Sequence, residues 1–127
     1  MYITINLKSE KSIYQQIYDN IISGIVSGEL REGTILPSAR QLSASLGVNF
    51  HTVNKAYNIL KNDGFLILDR KKEFVVQKKI QRNADFVNKW KEEEAKHINE
   101  ALANGLSENE IFDILKKILT EKVKMND

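Results

Sequence analysis

The side chains of this sequence that could do chemistry are cations and amides suited to a polyanion. Arg40 carries a planar guanidinium, which binds two phosphate oxygens at once. In the segment after it, Asn54 can pair with adenine, Lys55 can reach guanine or a phosphate, and Thr52 can contact a thymine methyl group. Residues 70–72 add a run of three cations. These residue types point to contact with a nucleic-acid backbone and with base edges.

The same inspection argues against catalytic and metal-binding chemistry. The sequence has no cysteine, and its two histidines, His51 and His97, fall in different predicted elements. No nucleophile with a base, no pair of catalytic carboxylates and no metal-ligand cluster can be assembled from the remaining residues. We therefore expect no enzymatic activity, no metal and no tightly bound cofactor.

Composition and charge are consistent with a small DNA-binding protein. The chain has 127 residues, of which 42% are hydrophobic and 28% charged, and its net charge is +2. Residues 1–78 hold ten Lys/Arg and seven Asp/Glu, a net +3, whereas residues 79–127 hold nine and ten, a net −1. No apolar run approaches the roughly 18 residues of a membrane span, and the first residues lack a signal-peptide pattern. The expected location is cytoplasmic, with no membrane partner.

The elements that must position these cations follow from apolar spacing and from capping residues. Apolar residues at helical spacing predict a first helix over 12–27, a second from Ser38 to about Leu46, and a third from Asn49 to about residue 63. A brief strand is predicted at 34–36. Two strand-like runs, 65–68 and 74–77, flank a loop of the length that a hairpin needs. Three helices followed by a hairpin is the order of a winged helix.

Beyond residue 79 the pattern changes to two longer amphipathic helices, which are separated by a turn at Asn104-Gly105. Ser107 and Glu110 have the spacing of a capping box, which opens the second of them. The predicted fold is mainly α with a small β-hairpin. It consists of a winged helix-turn-helix over 1–78, followed by an antiparallel two-helix dimerisation hairpin over 79–127.

Several short motifs occur together, in order, over the first two thirds of the chain. They are Ile13-Tyr-Gln-Gln-Ile17, Ser27-Gly-Glu-Leu-Arg-Glu-Gly33, Leu36-Pro-Ser-Ala-Arg40, Leu46-Gly-Val48 and Thr52-Val-Asn-Lys-Ala-Tyr57. Over residues 12–78 the chain resembles the GntR family of transcription regulators. Its short helical remainder is similar to the YtrA-like branch, whose tail is a two-helix dimerisation unit.

The resemblance implies a sequence-specific regulator, expected to be a repressor of a transporter operon, that binds double-stranded DNA. In this family the wing, which is the loop of the β-hairpin, usually contains glycines. The corresponding residues 69–73 contain none. The expected role of this wing is therefore phosphate contact rather than insertion into the minor groove. We expect Asn49 to act more as a helix cap than as a base reader. The expected DNA-binding residues are Ser38, Arg40, Asn49, Phe50, His51, Thr52, Asn54, Lys55, Arg70, Lys71 and Lys72.

The tail is expected to form a homodimer that places two recognition helices on a palindromic operator. A lone pair of helices encloses too little volume to bury its apolar side chains. The expected dimerisation residues are Phe86, Trp90, Ile98, Leu102, Ile111, Leu115 and Ile118. Packing of the tail on the chain's own N-terminal domain is the alternative. A second alternative for function is a protein-interaction module without specific DNA binding, and a small-molecule effector is left open.

Overall fold

The computed structural model describes residues 3–123. The first two residues of the predicted domain 1–78 and the last four of the predicted domain 79–127 lie outside the described residues. The chain divides into two compact units, one extending to Ile80 and the other beginning at Gln81.

The first unit contains three helices followed by a two-stranded antiparallel hairpin. The helices are α1 (Ile13–Ser27), α2 (Ala39–Leu46) and α3 (Phe50–Asn62), and the strands are β1 (Leu66–Leu68) and β2 (Phe74–Val76). In the hairpin, Ile67 lies opposite Val75. Instead of the predicted brief strand at 34–36, a single antiparallel bridge joins Ile35 to Val75.

Side-chain caps fix where the helices of this unit begin. The Ser38 hydroxyl accepts a hydrogen bond from the Gln41 N–H at 3.1 Å, and the Gln41 side chain accepts one from the Ser38 N–H at 2.9 Å. These two bonds satisfy donors that the first turn of a helix leaves unpaired. Asn49 caps α3 by accepting from the His51 N–H at 2.8 Å. Between the two helices, Gly47 adopts φ +67°, the left-handed conformation that ends α2 sharply.

Strand β1 is one residue shorter than the sequence pattern predicts, because Phe65 completes the end of α3. Its N–H donates to the Leu60 carbonyl at 2.9 Å, whereas its own carbonyl accepts from the Gln77 N–H. Because its N–H is bonded to a helix carbonyl, Phe65 belongs to the turn that ends α3 rather than to strand β1. The hairpin is therefore joined directly to the helix that precedes it.

The core of the first unit is formed by apolar faces of the three helices and the inner face of the hairpin. Tyr57 of α3 is fully buried at its centre. Its hydroxyl donates to the Pro37 carbonyl at 2.8 Å, and its ring lies 5.0 Å from that of Phe74. Burial raises the pKa of Tyr57, so that the phenol remains a hydrogen-bond donor. One residue thus connects α3 to the segment before α2 and to β2.

The only buried polar side chain among the described residues is Gln16, and it anchors the N-terminal segment on α1. Its amide nitrogen donates to the carbonyls of Asn6 and Lys11 at 3.0 and 2.9 Å, and its amide oxygen accepts from the Asn6 N–H at 2.8 Å. These bonds compensate the cost of burying the amide. Ile3 and Ile5 of the same segment pack against the core.

The second unit consists of α4 (Ala84–Ala103) and α5 (Glu108–Val123), joined by four residues. Asn83 caps α4, and Ser107 with Glu110 forms the predicted reciprocal pair of hydrogen bonds at the start of α5, both at 3.1 Å. Gly105 adopts φ +92° in the turn between them. No residue of α4 is buried. The predicted fold class, mainly helical with a small hairpin in winged-helix order, is confirmed.

Replacing Tyr57 with Phe is expected to lower the free energy of unfolding by about 1–2 kcal/mol, because the half-buried Pro37 carbonyl loses its hydrogen-bond donor. Urea denaturation of the two proteins measures this difference. Tyr18→Phe is the matched control, since the Tyr18 hydroxyl donates to the exposed Asp63 carboxylate, which water can solvate instead. Its expected cost is within about 0.5 kcal/mol. Equal losses for both variants would contradict the role given to Tyr57.

Candidate nucleic-acid interface

Arg40 lies in the first turn of α2, and its side chain is held against an aromatic ring. The residue is exposed, and its guanidinium carbon lies 4.8 Å from the centre of the Phe50 ring. Phe50 itself is half-buried and packs against the hydrophobic core. Phe50 is one of the expected DNA-binding residues, and its ring contacts both the core and the Arg40 guanidinium. The face of the Phe50 ring contacts the Arg40 guanidinium, and the ring does not extend freely into solvent.

The wing loop between β1 and β2 is shaped by a single carboxylate. The Asp69 side chain accepts hydrogen bonds from the N–H groups of Lys71 and Glu73, both at 2.9 Å. The Asp69 carbonyl also accepts from the Lys72 N–H at 3.0 Å. Lys72 adopts φ +62° and is the one described non-glycine residue with a positive φ. Three exposed cations, Arg70, Lys71 and Lys72, project from this loop.

A single depression of about 460 Å³ joins the start of α2, the start of α3 and the wing. Arg40 and Lys72 contribute positive charge to its wall, together with the carboxylate of Glu73. Ser38 and Gln41 supply polar groups, and the apolar remainder combines two phenylalanine rings with aliphatic side chains. The wing and the helix-turn-helix therefore present their cations on one continuous surface. Its lining residues are Leu36, Ser38, Ala39, Arg40, Gln41, Phe50, Lys72, Glu73 and Phe74.

The side of α3 that faces away from the core carries polar residues. His51 and Lys55 are exposed, whereas Thr52, Asn54 and Asn58 are half-buried. The opposite side of the helix bears its four buried residues, Val53, Ala56, Tyr57 and Leu60. Asn49 precedes them as the helix cap. These polar residues thus lie on the side of α3 opposite its buried residues, and α3 begins at Phe50, which lines the depression that contains Arg40.

Lys55 has a neighbour that the sequence analysis did not assign to the site. Its ammonium nitrogen lies 3.9 Å from the centre of the Tyr14 ring. Tyr14 lies in the first turn of α1 and packs partly against the core. The exposed face of its ring was missed because no local spacing relates a residue of the first helix to one of the third.

In the second unit, the predicted dimerisation residues are solvent-exposed to an unusual degree. Phe86, Trp90 and Leu102 are 62%, 52% and 50% exposed. Leu115 and Ile118 are 44% and 46% exposed, whereas Ile98 and Ile111 are half-buried. Further large apolar side chains that the prediction did not assign to this surface are also exposed. They are Phe112, Ile114 and Leu119.

A family model described as "Bacterial regulatory proteins, gntR family" matches residues 13–76, half of the chain, and this segment contains the helix-turn-helix and the wing. The chain belongs to the GntR family. Among solved structures it is similar to YtrA from Sulfolobus acidocaldarius, a GntR-family transcription factor. The identity is 39%, the TM-score is 0.59, and the match covers 94% of this chain and 97% of that one.

Two other similarities extend this assignment. The GntR-family chain superposes with a TM-score of 0.88 on a transcriptional antiterminator from Listeria monocytogenes EGD-e, at 26% identity, with 97% of this chain and 93% of the other covered. The repressor YtrA of Bacillus subtilis is 34% identical over 64 residues, which are 50% of this chain and 49% of that protein. The match spans about half or less of the length of several curated relatives.

These similarities identify the GntR-family chain as a YtrA-like, DNA-binding transcription regulator and not as an enzyme. Among the described residues, no group of three or more His, Cys, Asp or Glu side chains could hold a metal ion. None of the helices in the described part of the chain is long and apolar enough to cross a membrane.

The wing loop yields a prediction that separates backbone strain from charge. Lys72→Gly and Lys72→Ala remove the same cation, but only glycine adopts φ +62° without a steric cost from Cβ. The free energy of unfolding, measured by urea denaturation, is therefore expected to be about 0.5–1 kcal/mol higher for Lys72→Gly than for Lys72→Ala. The two variants should bind DNA equally. If the alanine variant were the more stable, the left-handed conformation of residue 72 would be wrong.

Proposed function

We propose that the GntR-family chain is a homodimeric repressor that binds a palindromic operator through α3, the start of α2 and the wing. The observation that carries this proposal is the shared depression, in which Arg40 of α2, Lys72 of the wing and Phe50, the first residue of α3, line one surface. Separate elements place positive charge on one surface. Such a surface fits a duplex, whose backbone is a regular array of negative charges.

In this proposal the cations position the protein, and α3 reads the sequence. Arg40 and the wing residues contact phosphates, because such contacts fix register without carrying sequence information. The Ser38 hydroxyl already accepts from the Gln41 N–H, but it can donate its own hydrogen to a phosphate oxygen. In the same way, the Asn49 amide nitrogen can donate while its oxygen caps α3. Phe50 contributes indirectly, by supporting Arg40.

Base contacts are assigned to the outer face of α3. Asn54 is suited to adenine, whose N6 and N7 an amide contacts with two hydrogen bonds. His51 and Thr52 precede it, near the helix start, where side chains of a recognition helix reach base edges. Lys55 is assigned to a backbone phosphate. The wing residues Arg70, Lys71 and Lys72 would reach the backbone on the flank of the site.

The homodimer is proposed because α4 and α5 expose more large apolar surface than an isolated helix pair retains in water. Within the described part of α4 and α5, the exposed side chains include Phe86, Trp90 and Leu115. Contiguous apolar patches of this kind mark protein interfaces. A second copy offers the same patch, so a twofold interface covers both at once. Two recognition helices then address two half-sites, which increases affinity and specificity together.

Repression is proposed from the relatives rather than from the geometry. YtrA and NagR of Bacillus subtilis, which are both 34% identical over the segments that match, are repressors. Control of a transporter operon is carried over from the resemblance to the YtrA-like branch. A dimer on an operator blocks access of polymerase by occupying the promoter, and this requires no cofactor and no chemical step.

The DNA interface is tested by comparing a wing variant with a recognition-helix variant. The triple substitution Arg70→Ala, Lys71→Ala and Lys72→Ala is expected to weaken binding about equally on all duplexes, by about tenfold or more, because phosphate contacts carry no base information. Asn54→Ala should instead change the preferred bases at one position of each half-site. Selection of bound duplexes from random DNA, followed by anisotropy titration, measures both effects.

Lys61→Ala serves as the control, since Lys61 is an exposed cation in the last turn of α3 that is not among the proposed contacts. If the wing variant kept its affinity but changed its preferred sequence, the wing would enter a groove and the phosphate assignment would be wrong. A Lys61 variant that lost as much affinity as the wing variant would show that only overall charge matters.

The dimer is tested by placing one charge on the apolar face of α5. Leu115→Asp is expected to convert the dimer to monomers at micromolar concentration, because an unpaired carboxylate cannot be buried in an apolar interface at low cost. Thr120→Asp, on the same helix at an exposed position outside the apolar stripe, should remain dimeric. Light scattering measures both masses. A monomeric wild-type chain with undiminished operator binding would overturn the proposed dimer.

A further inference from the structure

Tyr14 and Lys55 connect an element outside the recognition helix to the proposed DNA interface. Tyr14 lies in the first turn of α1 and is half-buried against the core, so the position of its ring is fixed. Lys55 is exposed on α3, and its Nζ lies 3.9 Å from the centre of that ring. This distance is within the range at which the electron-rich face of an aromatic ring attracts a cation.

We propose that Tyr14 is a positioning residue for DNA binding, which holds the Lys55 ammonium where it meets a backbone phosphate. The inference rests on the proposed function, because it takes the outer face of α3 to be the face that meets the duplex. It adds α1 to the elements that determine the interface. Tyr14 itself needs no contact with DNA.

A neutral ring can hold a lysine without cancelling its charge. Lys11, near the start of α1, shows the contrasting arrangement, since its ammonium pairs with the Asp19 carboxylate at 2.7 Å. That cation is already neutralised by its partner. The Lys55 ammonium, in contrast, faces a ring that carries no net charge, and three N–H donors share one nitrogen. Donors directed away from the ring can bind phosphate oxygens while the ring remains in contact.

The benefit to binding comes from restricting a flexible side chain before DNA arrives. A free lysine samples many rotamers, and ordering it at an interface costs free energy. Contact with the Tyr14 ring restricts the Lys55 stem in the unbound protein, which reduces this cost on binding. Arg40 above the Phe50 ring, at 4.8 Å, is a second instance of the same arrangement at the same interface. Two of the cations assigned to phosphate therefore rest on aromatic rings.

The experiment compares four variants of the full chain on the selected operator and on an unrelated duplex. They are Tyr14→Phe, Tyr14→Leu, Lys55→Met and the double variant Tyr14→Leu with Lys55→Met. Phenylalanine keeps the ring, leucine removes it, and methionine keeps the length of the lysine stem without its charge. Affinity is measured by fluorescence anisotropy over a series of salt concentrations, and urea denaturation confirms that each variant is folded.

Tyr14→Phe should bind like the wild type, whereas Tyr14→Leu should bind both duplexes about two- to fivefold more weakly. Lys55→Met should lower the salt dependence by about 0.9 per subunit, the change expected for one lost phosphate contact, and Tyr14→Leu should shift it in the same direction. The double variant should bind no more weakly than Lys55→Met alone. A general loss of folded protein would reduce the active fraction but leave the salt dependence unchanged.

A measurement on the wild type does not depend on any variant folding. The ring should shift the NMR signals of the Lys55 methylene protons next to Nζ upfield, and this shift should persist in the DNA complex. Loss of the shift on binding would mean that the ring releases the lysine, which overturns the proposal. So would unchanged or tighter binding by Tyr14→Leu, or additive losses in the double variant.

Failure of the phosphate contact of Lys55 and failure of the positioning role of Tyr14 give different results. If Lys55→Met bound DNA as tightly as the wild type, the phosphate contact assigned to Lys55 under the proposed function would be wrong, and the role of Tyr14 would fall with it. If Lys55→Met weakened binding but Tyr14→Leu did not, the contact would stand and only the positioning role would be wrong.

Discussion

The interface described above depends on one buried tyrosine. Tyr57 donates its hydroxyl to the Pro37 carbonyl, and its ring packs against Phe74. Pro37 directly precedes the cap of α2, Tyr57 belongs to α3, and Phe74 begins the second strand of the wing. Elements that are separated in the chain are thereby fixed to one another around a single side chain. The contacts of Tyr57 thus hold together the elements that carry Arg40, Phe50 and Lys72.

Two of the cations of the candidate interface are held by aromatic contacts rather than by ion pairs. Within the described residues, the two ion pairs found lie away from Arg40, Lys55 and the wing. Two of these cations rest on neutral rings instead. A protein that binds a polyanion gains nothing from pairing its contact cations with its own carboxylates, because such pairs must be broken before phosphate is bound. Aromatic support avoids that competition, because the rings of Phe50 and Tyr14 carry no net charge.

The sequence allowed the helices, their caps and the order of the fold to be predicted, because these features depend on neighbours a few residues apart. Ser38 with Gln41 and Ser107 with Glu110 are examples in which the local spacing determines the hydrogen bonds. The partners of Arg40 and Lys55 could not be predicted in this way. The rings of Phe50 and Tyr14 contact these cations only after the three helices have packed. The sequence spacing of either aromatic residue indicates only that it lies near the core.

The two helices of the tail, residues 79–127, show a different limit of prediction from sequence spacing. Their apolar spacing predicted an interface, and much of the expected stripe is exposed, but the width of the exposed surface was underestimated. Phe112 lies three residues before Leu115, at the edge of the stripe, and it was not assigned to the interface. A pattern of one-dimensional spacing identifies the centre of an amphipathic face more reliably than its edges.

The wing loop has a consequence for how this regulator can diverge from its relatives. Because the Asp69 carboxylate and backbone bonds hold the turn, its geometry does not depend on the side chains of Arg70 and Lys71. Those two positions are free to drift between basic, neutral and acidic residues without remodelling the scaffold. With the roles proposed for the wing and α3, general affinity for chromosomal DNA would be adjusted at the wing over evolutionary time, while the choice of operator would be inherited unchanged on α3. Mutations that change how much of the operator is occupied are then separate from mutations that change which genes are bound.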